Sequence, residues 1–375
     1  MSKTLHRPFG PQVNDGYHIY VSSGGVVTVL GGIGVFAACK IAGVKHKLTG
    51  GVSGGSIITA IRALGYDERE LVQLGINEDF NAHISAKGGV FGSVAEITRI
   101  RKIASNLLNR FRNGEVSQEE FEETWHATGL LGTVGLGDFL KKKAAAKGMS
   151  GVWPKDYWTM ASCADGTQVV FTAAGVYLVN PKDMVRKLSD NPPPLWTAVR
   201  ASSAIPIIMT AIEYEGMLLF DGAMTRDGLC PAPVLIRHFG VEPKKVIACR
   251  AGEDSNHFIF GPAQRAVRRV WGIEPNYHWG PEGTGVIEFR PQIDHLHALK
   301  FQLSSDEKWL AILIAFHACL EALAFNGILS GGRLAEAQTI MDDIGFWRDI
   351  RPAPIGSPQL LSERAEKVFA EHGLY

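Results

Sequence analysis

The sequence predicts an α/β protein built on a mainly parallel sheet, and three observations carry that prediction. Residues 15–65 alternate strand, Gly-rich loop, helix, strand, sharp turn and helix, the order of a parallel α/β layer. Gly51-Val52-Ser53-Gly54-Gly55 sets a serine in G-x-S-x-G between a strand-like run and a helix-like one. Strand-like runs then return at 157–163, 168–178, 217–220 and 245–249.

Taken in order, residues 18–21 read as the first strand, followed by Gly24-Gly25 and an apolar helical stretch. Paired glycines there can turn backbone N–H groups toward an anion. Gly32-Ile33-Gly34-Val35-Phe36-Ala37 also matches the G-x-G-x-x-A of a dinucleotide fold. That fold needs an acidic residue about 20 positions on to hold a ribose. None occurs between Gly34 and Asp67, so the dinucleotide reading is weak. Residues 44–49 form the next strand, and 56–65 a helix that stops at Gly65. At the turn between them Gly51 and Gly55 supply the small flanks a strained serine needs, with Gly50 and Gly54 expected to add slack.

Residues 67–150 become polar and helical, broken by glycines. Pro192-Pro193-Pro194 precedes a helical stretch at 195–204, and the tail from Ser305 is mostly helical. Within the tail, 309–325 is apolar but interrupted by His317 and Glu321, which predicts a buried core helix. The simplest organisation is one domain over 1–375. Its core is at about 15–68 and 155–250, with a helical insertion at about 68–150 and a helical C-terminal region at about 305–375.

Composition narrows the function. The 375 residues are 46% hydrophobic and 20% charged, as in globular proteins. Lys+Arg and Asp+Glu balance at 38 each, so no overall field points to nucleic acid. Five cysteines, with no C-x-x-C spacing, argue against a disulfide framework or zinc site and for a reducing compartment. Met1 to Pro8 lack an apolar signal core. The expectation is a cytoplasmic protein.

A serine at a helix N-terminus suits acyl transfer if a base takes its proton and N–H donors meet the oxyanion. Asp221, closing the apolar run Leu218-Leu219-Phe220 before Gly222-Ala223, is the candidate base: a carboxylate shielded from water gains basicity. Arg200-Ala201-Ser202-Ser203-Ala204-Ile205-Pro206 reads as support behind the site. In their order, four places resemble the patatin-like phospholipase family: Gly24-Gly25 with Ile33-Gly34-Val35 behind it, Gly51 to Gly55, Arg200 to Pro206, and Asp221-Gly222-Ala223. The resemblance covers roughly residues 15–68 and 155–250. It implies a three-layer α/β/α fold and a Ser–Asp dyad that cleaves lipid esters, without a cofactor or metal. Carried over, Ser53 is the nucleophile, Asp221 its base, and Gly24 and Gly25, with Gly54, the oxyanion hole. The family's loop usually reads G-G-G-x-R-G, whereas Val26, Thr28 and Val29 stand here for the third glycine, the arginine and the last glycine. A differently shaped oxyanion hole is therefore expected.

Two other readings follow from the residues. The altered loop suits a non-catalytic lipid- or partner-binding protein on the same scaffold. The twelve histidines also permit a Ser–His–Asp esterase of soluble esters. His238, His257, His278, His295 and His297 follow Asp221, but no flanking pattern singles one out, and His295-x-His297 is weak evidence for a metal. Finally, residues 97–112 place Ile97, Ile100, Ala104, Leu107, Leu108 and Phe111 at helical spacing among Arg99, Arg101, Lys102, Arg110 and Arg112. Such a helix either packs its apolar side on the core or lies on an anionic membrane surface.

Overall fold

The computed structural model describes residues 6–83, 85–86, 131–206, 209–229, 231–250, 284–293, 295–296, 303–345 and 358–375, with isolated positions between 106 and 117. The basic segment 97–112 falls almost entirely outside the described residues, as do His257, His278 and His297.

The elements begin with β1 (Tyr17–Val21), α1 (Val26–Ile41), β2 (His46–Gly51), α2 (Gly54–Ala63) and α3 (Glu68–Asn77). A short 3-10 turn at Phe80–His83 leads to a small ladder of β3 (Ser85–Ala86) with β4 (Leu131–Gly132). Next come α4 (Val134–Ala146), β5 (Tyr157–Ser162), β6 (Gln168–Thr172), β7 (Gly175–Val179) and β8 (Val185–Ser189). They are followed by α5 (Leu195–Ser202), β9 (Ile212–Tyr214), β10 (Met217–Asp221), α6 (Ala232–Phe239), β11 (Val246–Cys249) and β12 (Ile287–Phe289). The tail forms α7 (Ser305–Phe325), α8 (Gly331–Ile344) and α9 (Pro358–Glu371).

The central sheet runs β12-β11-β1-β2-β5-β6-β7-β8. From β12 to β5 every pairing is parallel, and from β5 to β8 the chain meanders antiparallel. Strands of the parallel half are apolar on both faces, because helices cover both. In β1, Ile19 and Val21 join the core beneath α1, α2 and α7, while Tyr20 joins the core beneath α6. In β11, Ile247 and Cys249 face the first core and Val246 and Ala248 the second. This is the three-layer α/β/α arrangement that the resemblance implied.

Helix α1 lies at the centre of the larger core, its residues from Val26 to Cys39 all buried. Gly32 to Ala37 lie inside this helix and not in a phosphate loop, which removes the dinucleotide reading. Helix α7 is capped by Ser304 and Glu307, each bonding the other's backbone N–H. By length and composition α7 is the one helix among the described residues able to cross a membrane. Its Trp309, Ile312, Phe316 and Leu323 are buried in the α1 core, as the interrupted apolar pattern suggests.

Two local readings change. The run 168–178 is not one strand: it folds back after Thr172 as the β6–β7 hairpin, with Gly175 at φ +128° directly after the turn. Strands β8, β9 and β12 have no counterpart in the sequence reading. The first is polar and half exposed, and the other two have three residues each.

Candidate active site

Ser53 lies at the junction of β2 and α2 with φ 55° and ψ −128°, a conformation that side chains rarely adopt. It is the strained elbow expected of G-x-S-x-G. Its flanks are small by necessity. A Cβ on Gly51 would lie 2.5 Å from the Val21 carbonyl oxygen, and one on Gly55 2.2 Å from the same atom. The other two glycines are not slack. A Cβ on Gly50 would meet the Trp158 ring at 2.3 Å, and one on Gly54 would lie 2.0 Å from the Gly25 carbonyl oxygen.

The last contact brings the Gly24-Gly25 loop against the elbow. Gly24 has φ +155° and Gly25, the N-cap of α1, φ +59°, so positive φ falls where glycine is retained. Val26, Thr28 and Val29 already belong to the first turns of α1, where no positive φ is required. The positive-φ positions of the loop therefore do not coincide with the three replacements. Thr28 Oγ1 donates to the Gly25 carbonyl at 2.9 Å and helps fix that peptide. Among the described residues no protein acceptor takes the N–H groups of Gly24, Gly25 or Gly54. Neither α1 nor α2 carries an acidic residue in its first turn. Two helix N-termini thus converge with free donors and unneutralised dipoles, an arrangement that favours a developing anion.

Topology brings Asp221 to the same place. Along one edge of β5, β2 pairs with its first half (Gly51 opposite Thr159) and β10 with its second (Asp221 opposite Ala161). The strands run toward each other and end face to face: a Cβ on Gly222 would lie 2.9 Å from Val52 Cγ1. Ser53 and Asp221 are both 2% exposed. Asp221 Oδ1 accepts the Ala223 N–H at 2.8 Å, which orients the carboxylate. The end of α5 and the residues after it tie the two residues together. Ser53 N–H donates to Ser202 Oγ at 3.0 Å, and Asp221 N–H donates to the Ala204 carbonyl at 2.9 Å. The 200–206 motif is thus a clamp on both, more specific than the support foreseen from sequence.

A cavity of about 590 Å³, counting its open mouth, begins at Ser53, Gly25 and Gly54. Its walls are chiefly apolar, with Val29, Ile57, Phe80, Leu136, Phe139 and Met209 among them. Such a lining accepts a hydrocarbon chain and excludes water. The histidine that reaches it is His83, which no sequence pattern had marked. His83 Nε2 lies 2.8 Å from Glu78 Oε1, and its ring sits 4.3 Å from the Phe139 ring. Burial pushes the Glu78 carboxyl up, but His83 and Lys143 together hold it below the usual range. Of the candidate histidines after Asp221 that are described, His238 faces Asp183 at 3.8 Å and His295 contacts the Glu307 carbonyl at 3.1 Å. Among the described residues no cluster of His, Cys, Asp and Glu could hold a metal ion.

Comparison with curated proteins found no match. Among solved structures the chain is similar to VipD from Legionella pneumophila, at 13% identity and a TM-score of 0.44, covering 95% of this chain and 80% of that one. It is also similar to human GIVD cytosolic phospholipase A2 in complex with methyl gamma-linolenyl fluorophosphonate, at 12% identity and 0.40, covering 88% and 60%. A third is the type III effector protein ExoU, at 15% identity and 0.28, covering 95% and 79%. The family model for the patatin-like phospholipase matches residues 20–236, more than half of the sequence and all of the elbow, loop, clamp and aspartate just described. On that match, the chain belongs to the patatin-like phospholipase family.

Proposed function

We propose that this protein is a serine acyl hydrolase that cleaves ester bonds of phospholipids or related lipids, with Ser53 as nucleophile and Asp221 as base. The observation that carries the reading is the strained, buried Ser53 at the meeting of two helix N-termini, opening onto an apolar cavity. Ser53 Oγ attacks the ester carbonyl and its proton passes to Asp221. The oxyanion takes hydrogen bonds from the N–H groups of Gly24, Gly25 and Gly54. Collapse expels the alcohol, which receives the proton from Asp221, and leaves an acyl–Ser53 ester. A water molecule deprotonated by Asp221 then releases the fatty acid, and Ser53 recovers its proton. No step requires a cofactor.

A second reading keeps the nucleophile and makes His83 the base, with Glu78 as its orienting acid. Its support is that His83 lines the same cavity and is paired with a carboxylate. Hydrolysis of a phospholipid by the variants separates the two. Ser53→Ala abolishes turnover under both. Loss with Asp221→Asn and retention with His83→Ala supports the dyad, and the reverse pattern supports His83. A folded wild type inert toward lipid esters would leave a binding protein on this scaffold.

The protein is further proposed to be cytoplasmic and to meet anionic membrane surfaces through residues 97–112, whose five cations alternate with apolar residues at helical spacing.

A further inference from the structure

Among the described residues that line the cavity, one side-chain hydroxyl outside the proposed dyad makes no hydrogen bond. Ser203 lines the cavity beside Ser53 and is 5% exposed. Its backbone is satisfied: the N–H donates to the Val199 and Arg200 carbonyls, and the carbonyl accepts the Ile205 N–H. Its hydroxyl is buried with no hydrogen-bond partner among the described residues. The other side-chain hydroxyl and imidazole groups on the wall are engaged. Thr133 Oγ1 accepts Arg200 Nε–H at 3.1 Å, and His83 is paired with Glu78. A buried hydroxyl without a partner is destabilising, because it has given up its hydrogen bonds to water. Such an orphan in a folded protein calls for a partner that the described residues do not supply.

Its position says which atom that partner is. Ser203 stands between the residue that holds the nucleophile, Ser202, and the residue that holds the base, Ala204. The oxyanion donors come from a different quarter, the N-termini of α1 and α2. During collapse of the tetrahedral intermediate the departing oxygen has to reach Asp221 to collect the proton. It therefore passes beside the 202–204 segment.

We infer that Ser203 is a substrate-contacting residue whose hydroxyl donates a hydrogen bond to the leaving oxygen of the ester. The inference rests on the hydrolase reading above. The hydroxyl keeps its own proton. The proton that completes the alcohol is the one Asp221 took from Ser53, while the carbonyl carbon exchanges its bond to the leaving oxygen for one to Ser53. Ser203 stabilises negative charge as it gathers on that oxygen, so its value depends on how poor the leaving group is.

The test compares two esters of one medium-chain fatty acid, a glycerol monoester and a 4-nitrophenyl ester, on wild type, Ser203→Ala and Ser202→Ala. The nitrophenolate leaves without assistance and the glycerol alkoxide does not. Ser203→Ala is expected to lower kcat/KM about tenfold for the glycerol ester while changing the nitrophenyl ester by less than about twofold. Ser202→Ala, which releases the nucleophile's own backbone, is expected to lower both alike. The ratio of the two rates within one variant is independent of how much of it is folded. Equal losses on both esters in Ser203→Ala, or no loss on either, would overturn the inference while leaving the hydrolase reading intact. A wild type that cleaves neither ester and takes no fluorophosphonate on Ser53 would remove the hydrolase reading, and this inference with it.

Discussion

At the residue scale the site depends on how closely the backbone segments approach. The Gly24-Gly25 loop and the elbow touch through Gly54, which leaves no room for a methyl group between Gly25 and Thr28. Gly54→Ala is expected to push the loop away from the elbow and misplace two of the three proposed donors. Loss of one such donor lowers kcat about a hundredfold or more. Kinetics on the folded variant, together with its Tm, check this, and a Gly54→Ala enzyme with wild-type kcat contradicts it. Ser53 and Asp221 were legible in sequence because G-x-S-x-G and a strand-ending aspartate are local signals. Ser203 and His83 were not. The significance of Ser203 lies in an unsatisfied hydroxyl, and that of His83 in a turn which folds back onto the elbow.

At the element scale the parallel half of the sheet was readable. Its strands and helices alternate with distinct periods, and their apolar faces are set by burial on both sides. The antiparallel half was less so. The β6–β7 turn is the two residues Ala173-Ala174, without the Asn or Asp that marks most hairpins, so two strands read as one. The loop before α1 gives the converse lesson. Val26 seemed out of place for a glycine only while the start of the helix was unknown. The segment at 97–112 is an element argued from sequence, and its membrane role has a direct test. Replacing Arg99, Arg101, Lys102, Arg110 and Arg112 by Gln removes five charges, each worth about 1 kcal/mol near an anionic surface. Binding to phosphatidylserine-containing vesicles should fall by at least about tenfold. Unchanged binding sinks the membrane reading.

At the scale of the whole molecule the sheet is sealed by α/β layers that bury ionisable groups under the strands. Burial, assisted by Lys245, lowers the His18 imidazole to about 4, and burial with Arg62 does the same at His46. In the unfolded chain both return to about 6.5. Between these values the unfolded state binds more protons, so stability falls as pH drops from about 6.5 to about 4, by about 3 kcal/mol for His18 alone. Thermal unfolding at pH 7 and pH 5 should show the lower Tm at pH 5, with a smaller difference in His18→Asn. An equal Tm at both pH values contradicts the assignment.

The sheet is proposed to assemble Ser53 and Asp221 into one working nucleophile. Labelling with a fluorophosphonate serine probe, with the modified peptide mapped, tests this most directly. Adduct is expected on Ser53 in the wild type, none in Ser53→Ala, and strongly reduced labelling in Asp221→Asn. Labelling at another serine, or full labelling of Ser53 in Asp221→Asn, would contradict it.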